Sequence, residues 1–80
     1  MFYVYVLFSK NYNRHYTGMS IDLEKRLNQH NLKQNTSTKA YIPWGIIYTE
    51  KFKTRVEARK KEKYLKSGIG REFIKSLLNS

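Results

Sequence analysis

Apolar and aromatic positions alternate with period two at the start of the chain, where Phe2, Val4, Val6 and Phe8 interleave with Tyr3, Tyr5 and Leu7. This is the pattern of a strand whose two faces meet different surroundings. Ser9 to Asn13 supply polar turn formers, and Arg14-His15-Tyr16-Thr17 reads as a returning strand that stops at Gly18. A hairpin closed near Lys10 and Asn11 sets Tyr5 about opposite Tyr16, so that two phenols flank one spot.

The period then changes. Ser20 is placed to cap a helix that opens with Ile21-Asp22-Leu23-Glu24, its two acids at the positive end of the helix dipole, and runs to about His30. Met19, Leu23 and Leu27 recur at i, i+4 and predict the buried side. Asp22, Arg26 and His30 form a neighbouring stripe with two readings. One is a solvated face with an Asp22–Arg26 ion pair; the other has Arg26 and His30 directed together at a phosphate. Asn31 to Lys39 is polar and without apolar periodicity after Leu32, which predicts a loop. Tyr41-Ile42-Pro43-Trp44 interrupts any helix, and Trp44 reads as a core or rim anchor. Gly45 to Phe52, rich in β-branched and aromatic residues, predicts a third strand.

Thr54 and Glu57 make a capping box, so a second helix is expected from Arg55 to Lys66. Ala58 and Leu65 lie on one of its faces, and Glu62, four residues after the first and three before the second, falls on or beside that face. A carboxylate there is costly unless it is paired or bound to a metal. The ion-pair partner can be one of the flanking lysines or Arg26. Ser67-Gly68-Ile69-Gly70 reads as a glycine-rich stop, and Arg71 to Leu78 as a last helix with Phe73, Ile74, Leu77 and Leu78 on its packing side.

Charge sharpens this outline. Sixteen Lys plus Arg against six Asp plus Glu leave a net charge of +10, an excess that points to a polyanionic partner, nucleic acid first. Lys25, Lys33, Lys39, Lys66 and Arg71 are the candidate backbone contacts. Cysteine is absent, which excludes disulfides and thiolate zinc sites. The apolar run from Phe2 to Phe8 is too short for a membrane span and has no basic segment before it. No membrane association and a cytoplasmic location are therefore expected. Eighty residues suit a single domain spanning 1–80, whose thin core draws on twelve aromatic side chains.

Several of these pieces carry a resemblance. Tyr3-Val4-Tyr5, ten intervening residues, and then Tyr16-Thr17-Gly18 resemble the two name motifs of the GIY-YIG nuclease domain. Arg26 and His30 follow at matching spacing, and Ala58 to Lys66 is similar to the helix that carries that family's metal-binding glutamate. Leu65 to Phe73 resembles the tail of the small stand-alone members. The resemblance implies an α/β domain of order β-β-α-β-α-α, with a three-stranded, mostly antiparallel sheet flanked by helices.

It implies a chemistry as well. Tyr5, Tyr16, Arg26, His30 and Glu62 become the catalytic set, with Glu62 holding one Mg²⁺ or Mn²⁺, a hard ion that prefers oxygen ligands. Arg26 would brace the phosphoryl oxygens, one of the two tyrosines would accept or relay the proton of the attacking water, and His30 would assist that transfer or position the phosphate. The expected activity is a metal-dependent DNA endonuclease or nickase, with repair or recombination as the expected setting and no small-molecule cofactor. Tyr3 and Thr17 replace the glycine and isoleucine of the family name, and Met19-Ser20 stand where some branches place a lysine. No added DNA-binding region follows, so weak sequence specificity is expected. The residues themselves argue against other hydrolases: six scattered carboxylates do not build a multi-acid two-metal centre, and no serine sits in a nucleophile elbow. A catalytically weak or inactive module that binds DNA or RNA, and an adaptor of a repair complex, are the alternative readings.

Overall fold

The computed structural model describes residues 1–34 and 38–79. Of the loop expected over Asn31 to Lys39, positions 35–37 lie outside the described residues. The element order is β1 (Phe2–Ser9), β2 (Arg14–Ser20), α1 (Leu23–Asn31), β3 (Gly45–Phe52), α2 (Arg55–Lys66) and α3 (Gly68–Leu78), with a single 3₁₀ turn at Lys39–Tyr41. The three strands form one antiparallel sheet in the order β2-β1-β3. This is the α+β architecture expected from the sequence.

β1 lies in the centre, and its alternation builds two cores. Val4 and Val6 pack with Ala58 and Leu65 of α2 and Ile74 of α3. Tyr5 and Leu7 pack with Trp44, Leu23 and Leu27. Adjacent strand residues point to opposite faces, so α2 and α3 cover one side of the sheet and α1 the other. A chain this short has few routes to a buried interior, and a central strand buried on both faces supplies one.

The hairpin closes differently from the expectation. Ser9 pairs with Arg14 across a four-residue connection, and Asn13 adopts a left-handed φ of 52° that an asparagine tolerates. Tyr5 therefore stands opposite Gly18, and Tyr16 opposite Leu7. The two tyrosines remain diagonal neighbours on one face. Between β1 and β3 the register shifts at Val6/Leu7: Val6 pairs with Tyr48 and Leu7 with Ile46, leaving Ile47 as the extra residue of a bulge.

One strand boundary and two helix starts also differ. β2 runs on through Ser20, so Met19 belongs to the sheet and packs against the α2/α3 core rather than on the α1 stripe. Asp22, not Ser20, caps α1 by accepting from the Lys25 backbone N–H at 3.1 Å. That role replaces the expected pairing of Asp22 with Arg26. Finally, α3 begins at Gly68 instead of Arg71, because Ser67 caps it through the Gly70 N–H. α2 has the expected bounds, with Thr54 accepting from Glu57 N–H at 3.2 Å and donating to Glu57 Oε1 at 2.9 Å.

Candidate active site

The site begins with a missing side chain. A Cβ built on Gly18 would lie 2.5 Å from Tyr5 Oη and 3.1 Å from Tyr16 Cε1. Glycine at this strand position lets the Tyr5 ring lie across β2 toward Tyr16, so the glycine of the Tyr-Thr-Gly motif makes room for the phenol pair.

His30, at the end of α1, closes the pair from beneath. It is 0% exposed, with Nε2 3.2 Å from Tyr5 Oη and Nδ1 2.7 Å from Thr38 Oγ1. Its ring also lies 4.9 Å from that of Tyr16, centroid to centroid. Thr38 is held in turn by Trp44, whose indole N–H donates to the Thr38 carbonyl at 2.9 Å. Asn31 brackets the Trp44 backbone, accepting from its N–H and donating to its carbonyl. A chain of bonds thus runs from the loop and Trp44 through Thr38 and His30 to the Tyr5 hydroxyl, and it fixes the ring of Tyr5.

Arg26, one turn before His30, interacts with both phenols, and this contact raises its own pKa. Its Nη1 also donates to Gln29 Oε1 at 3.0 Å. Burial pushes the Tyr5 phenol up, and the opposing pull of Arg26 does not cancel it. Tyr5 therefore stays protonated at neutral pH and acts as a hydroxyl donor. Burial, followed by the nearby Arg26 charge, pushes His30 down, so it is a neutral imidazole. It can accept from Tyr5 while donating to Thr38, or the reverse. Tyr16 is only half-buried and is the phenol that solvent reaches.

Glu62 lies on the buried side of α2, 9% exposed, yet close enough for its charge to act on Tyr5. Its carboxylate meets Arg59 Nη1 at 3.5 Å and Lys66 Nζ at 3.3 Å. The ion-pair partners are thus the flanking cations of its own helix. Both cations are more than half exposed while the Glu62 side chain is 12% exposed, so the pairs sit at the edge of the core and offset part of the cost of burying the carboxylate. Among the described residues no three His, Cys, Asp or Glu side chains gather, and Glu62 is the carboxylate whose charge reaches Tyr5, so a divalent ion held beside the tyrosines would draw on Glu62. That donor set fits a hard cation that keeps most of its shell for water and phosphate.

Two hollows flank the cluster. One, of about 430 Å³, has Ser20, Asp22, Lys25, Arg26 and Gln29 among its walls. The other, of about 270 Å³, lies between His15, Tyr16, Thr17, Leu65, Lys66 and Arg71. Three of the five candidate backbone contacts thus divide between the two sides: Lys25 beside Arg26, and Lys66 with Arg71 beside Tyr16. Lys33, just past α1 with φ 63°, and Lys39, in the 3₁₀ turn, are exposed and line neither hollow.

Fold and cluster together define a small α+β domain of the nuclease type. The chain belongs to the GIY-YIG family: residues 1–72 match the GIY-YIG catalytic domain. It is 38% identical over 66 residues to a UPF0213 protein of Staphylococcus saprophyticus, covering 81% of this chain and 79% of that one. A UPF0213 protein of Limosilactobacillus reuteri is 31% identical over 81 aligned positions, covering 98% of this chain and 83% of its own. One from Streptococcus agalactiae is 36% identical over 52 residues, 64% of this chain and 59% of that protein. No solved structure matches the chain. Membership implies a nucleic-acid substrate, and among the described residues no helix is long and apolar enough to cross a membrane.

Proposed function

We propose that the protein is a metal-dependent DNA endonuclease or nickase of low sequence specificity, acting in repair or recombination in the cytoplasm. One observation carries this reading: Tyr5, Tyr16, Arg26 and His30, which come from two strands and a helix, form a single bonded or touching cluster within electrostatic reach of Glu62. Phosphodiester hydrolysis needs charge stabilisation on the phosphoryl oxygens, a directed water and a proton acceptor. Arg26 offers a planar fork to the phosphate. Tyr5, kept protonated, donates a hydrogen bond to an oxygen of the reacting group. Tyr16, the accessible phenol, takes or relays the proton of the incoming water. His30 is sealed from solvent and does not meet the phosphate; it orients Tyr5 by donating its Nε2–H to the phenol oxygen, which leaves the Tyr5 hydroxyl proton for the reacting group.

Glu62 would hold a bound Mg²⁺ or Mn²⁺, which supplies Lewis-acid polarisation of the phosphoryl group. Arg59 and Lys66 must then yield the carboxylate. Their grip on it also favours a second reading, a nucleic-acid-binding module in which Glu62 is only an ion-pair partner.

The test is cleavage of supercoiled plasmid and of labelled single-stranded, duplex and branched DNA with Mg²⁺ or Mn²⁺, comparing wild type with Arg26→Ala and Glu62→Gln. The nuclease reading expects cutting by wild type alone, with binding kept in both variants. Equal binding without cutting by all three proteins would leave the binding module.

A further inference from the structure

The smaller hollow sits on the far side of Tyr16 from Arg26, and three elements send basic side chains to its walls: His15 from β2, Lys66 from the end of α2 and Arg71 from α3. Its remaining lining is Tyr16, Thr17 and Leu65, so no acid borders it. Among the described residues no carboxylate pairs with Arg71, whereas the other basic residue of α3, Lys75, pairs with Glu72 at 3.7 Å. Arg71 is close enough for its charge to act on His15. Lys66 is offset in part by Glu62 on its other side, so Arg71 is the cation of this concavity of about 270 Å³ that lacks a carboxylate partner among the described residues, and an anion seated beside it and His15 balances that charge. Lys66 also reaches Glu62, so the hollow is continuous with the edge of the proposed site.

We propose that this hollow seats a second backbone phosphate of the nucleic-acid strand, next to the phosphodiester that lies against Tyr16 and Arg26. The proposal deepens the reading above and rests on it for the place of the first phosphate. A strand lying across Tyr16 then has one phosphate on the Arg26 side of the ring and its neighbour between His15, Lys66 and Arg71. The ligand is an internal phosphodiester, and substrates shorter than two linkages leave the hollow empty.

The test reads phosphate contacts without requiring cleavage. Binding of a fluorescent duplex is measured by anisotropy in EDTA over a salt series, for wild type, Arg71→Ala, Arg71→Lys and Lys51→Ala. Lys51 is exposed on β3, across the sheet from β2, and its loss removes the same charge. The expected result is that Arg71→Ala lowers the slope of log affinity against log salt by about 0.9, the value for one lost phosphate contact on duplex DNA. Arg71→Lys should retain the slope and Lys51→Ala should leave it unchanged. Equal effects of Arg71→Ala and Lys51→Ala, or none from either, would overturn the proposal. So would an Arg71→Ala defect confined to strands bearing a terminal 5′-phosphate, since the hollow would then take a chain end. If wild type cuts DNA while Arg71→Ala keeps the full slope, only this subsite falls. A reduced slope in a protein that never cuts removes the nuclease and keeps the phosphate site.

Discussion

At the scale of single residues, the site depends on two groups that never meet the substrate. Gly18 is the first. Alanine there brings its Cβ within 2.5 Å of Tyr5 Oη, and the Tyr5 ring has little freedom to retreat because it is 1% exposed and bonded to His30. Gly18→Ala is expected to cost about 1–3 kcal/mol by overpacking, a melting point lowered by roughly 4 °C or more, and to move Tyr5 off His30. Thermal denaturation reads the first effect. His30 is the second. Its imidazole is pushed down by burial and by Arg26, so below its unfolded pKa of about 6.5 the unfolded chain binds a proton that the folded chain refuses. Stability must then fall as pH drops below about 6.5, by at most roughly 1.4 kcal/mol per pH unit for this group. His15 is pushed down as well, by burial and then Arg71, and adds to the same slope. Urea denaturation at stepped pH should show a shallower decline in His30→Gln than in wild type. An unchanged decline would mean that the buried imidazole accepts its proton in place.

At the scale of elements, Ser67 joins two helices. Its N–H donates to the Tyr64 carbonyl at 3.0 Å and its hydroxyl to the same oxygen at 2.6 Å, while the Gly70 N–H donates to Ser67 Oγ at 3.3 Å. It therefore ends α2 and caps α3 at once. Ser67→Ala is expected to cost about 1–2 kcal/mol, near the top of the range for a lost cap, and denaturant titration would register it as a lower midpoint with the same slope. This junction also shows where sequence reasoning stopped short. α2 was legible to its ends because a capping box is a local signal, whereas the glycines at 68 and 70 read as a stop. Gly70 is inside α3 for a tertiary reason: a Cβ there would strike the Tyr64 carbonyl and lie 2.5 Å from Leu65 Cα, so glycine permits the sharp turn between the helices. Likewise the motif spacing singled out Tyr5, Tyr16, Arg26, His30 and Glu62, and the structure gathers them. Thr38, Gln29 and Asn31 were not legible as supports. They act through hydrogen bonds whose partners depend on the loop path and helix phase, and no periodicity encodes those.

At the scale of the whole molecule, the net charge of +10 acquires a direction. Lys25 and Arg26 border one hollow, Lys66 and Arg71 the other, and Tyr16 lies between Arg26 and the second pair. Lys66 must leave Glu62 to take a phosphate, and cations away from the hollows are engaged as well: Lys61 with Glu50, Lys75 with Glu72, and Arg14 over the Tyr41 ring. If only the cations flanking the cluster touch phosphates, four contacts set the salt dependence. The slope of log affinity against log salt on duplex DNA should then be about −3.6, and raising salt from 50 to 200 mM should weaken binding roughly a hundredfold. Single strands should give a slope of about −2.8. Anisotropy titrations in EDTA at four or five salt concentrations are sufficient to measure it. A slope of about −6.3 would mean that the outer face of α2, with Arg55, Lys60 and Lys63 exposed, also lies on the backbone, and that the footprint extends well beyond the tyrosine pair. A slope near −1 would show that the charge serves something other than a nucleic-acid strand laid across Tyr16.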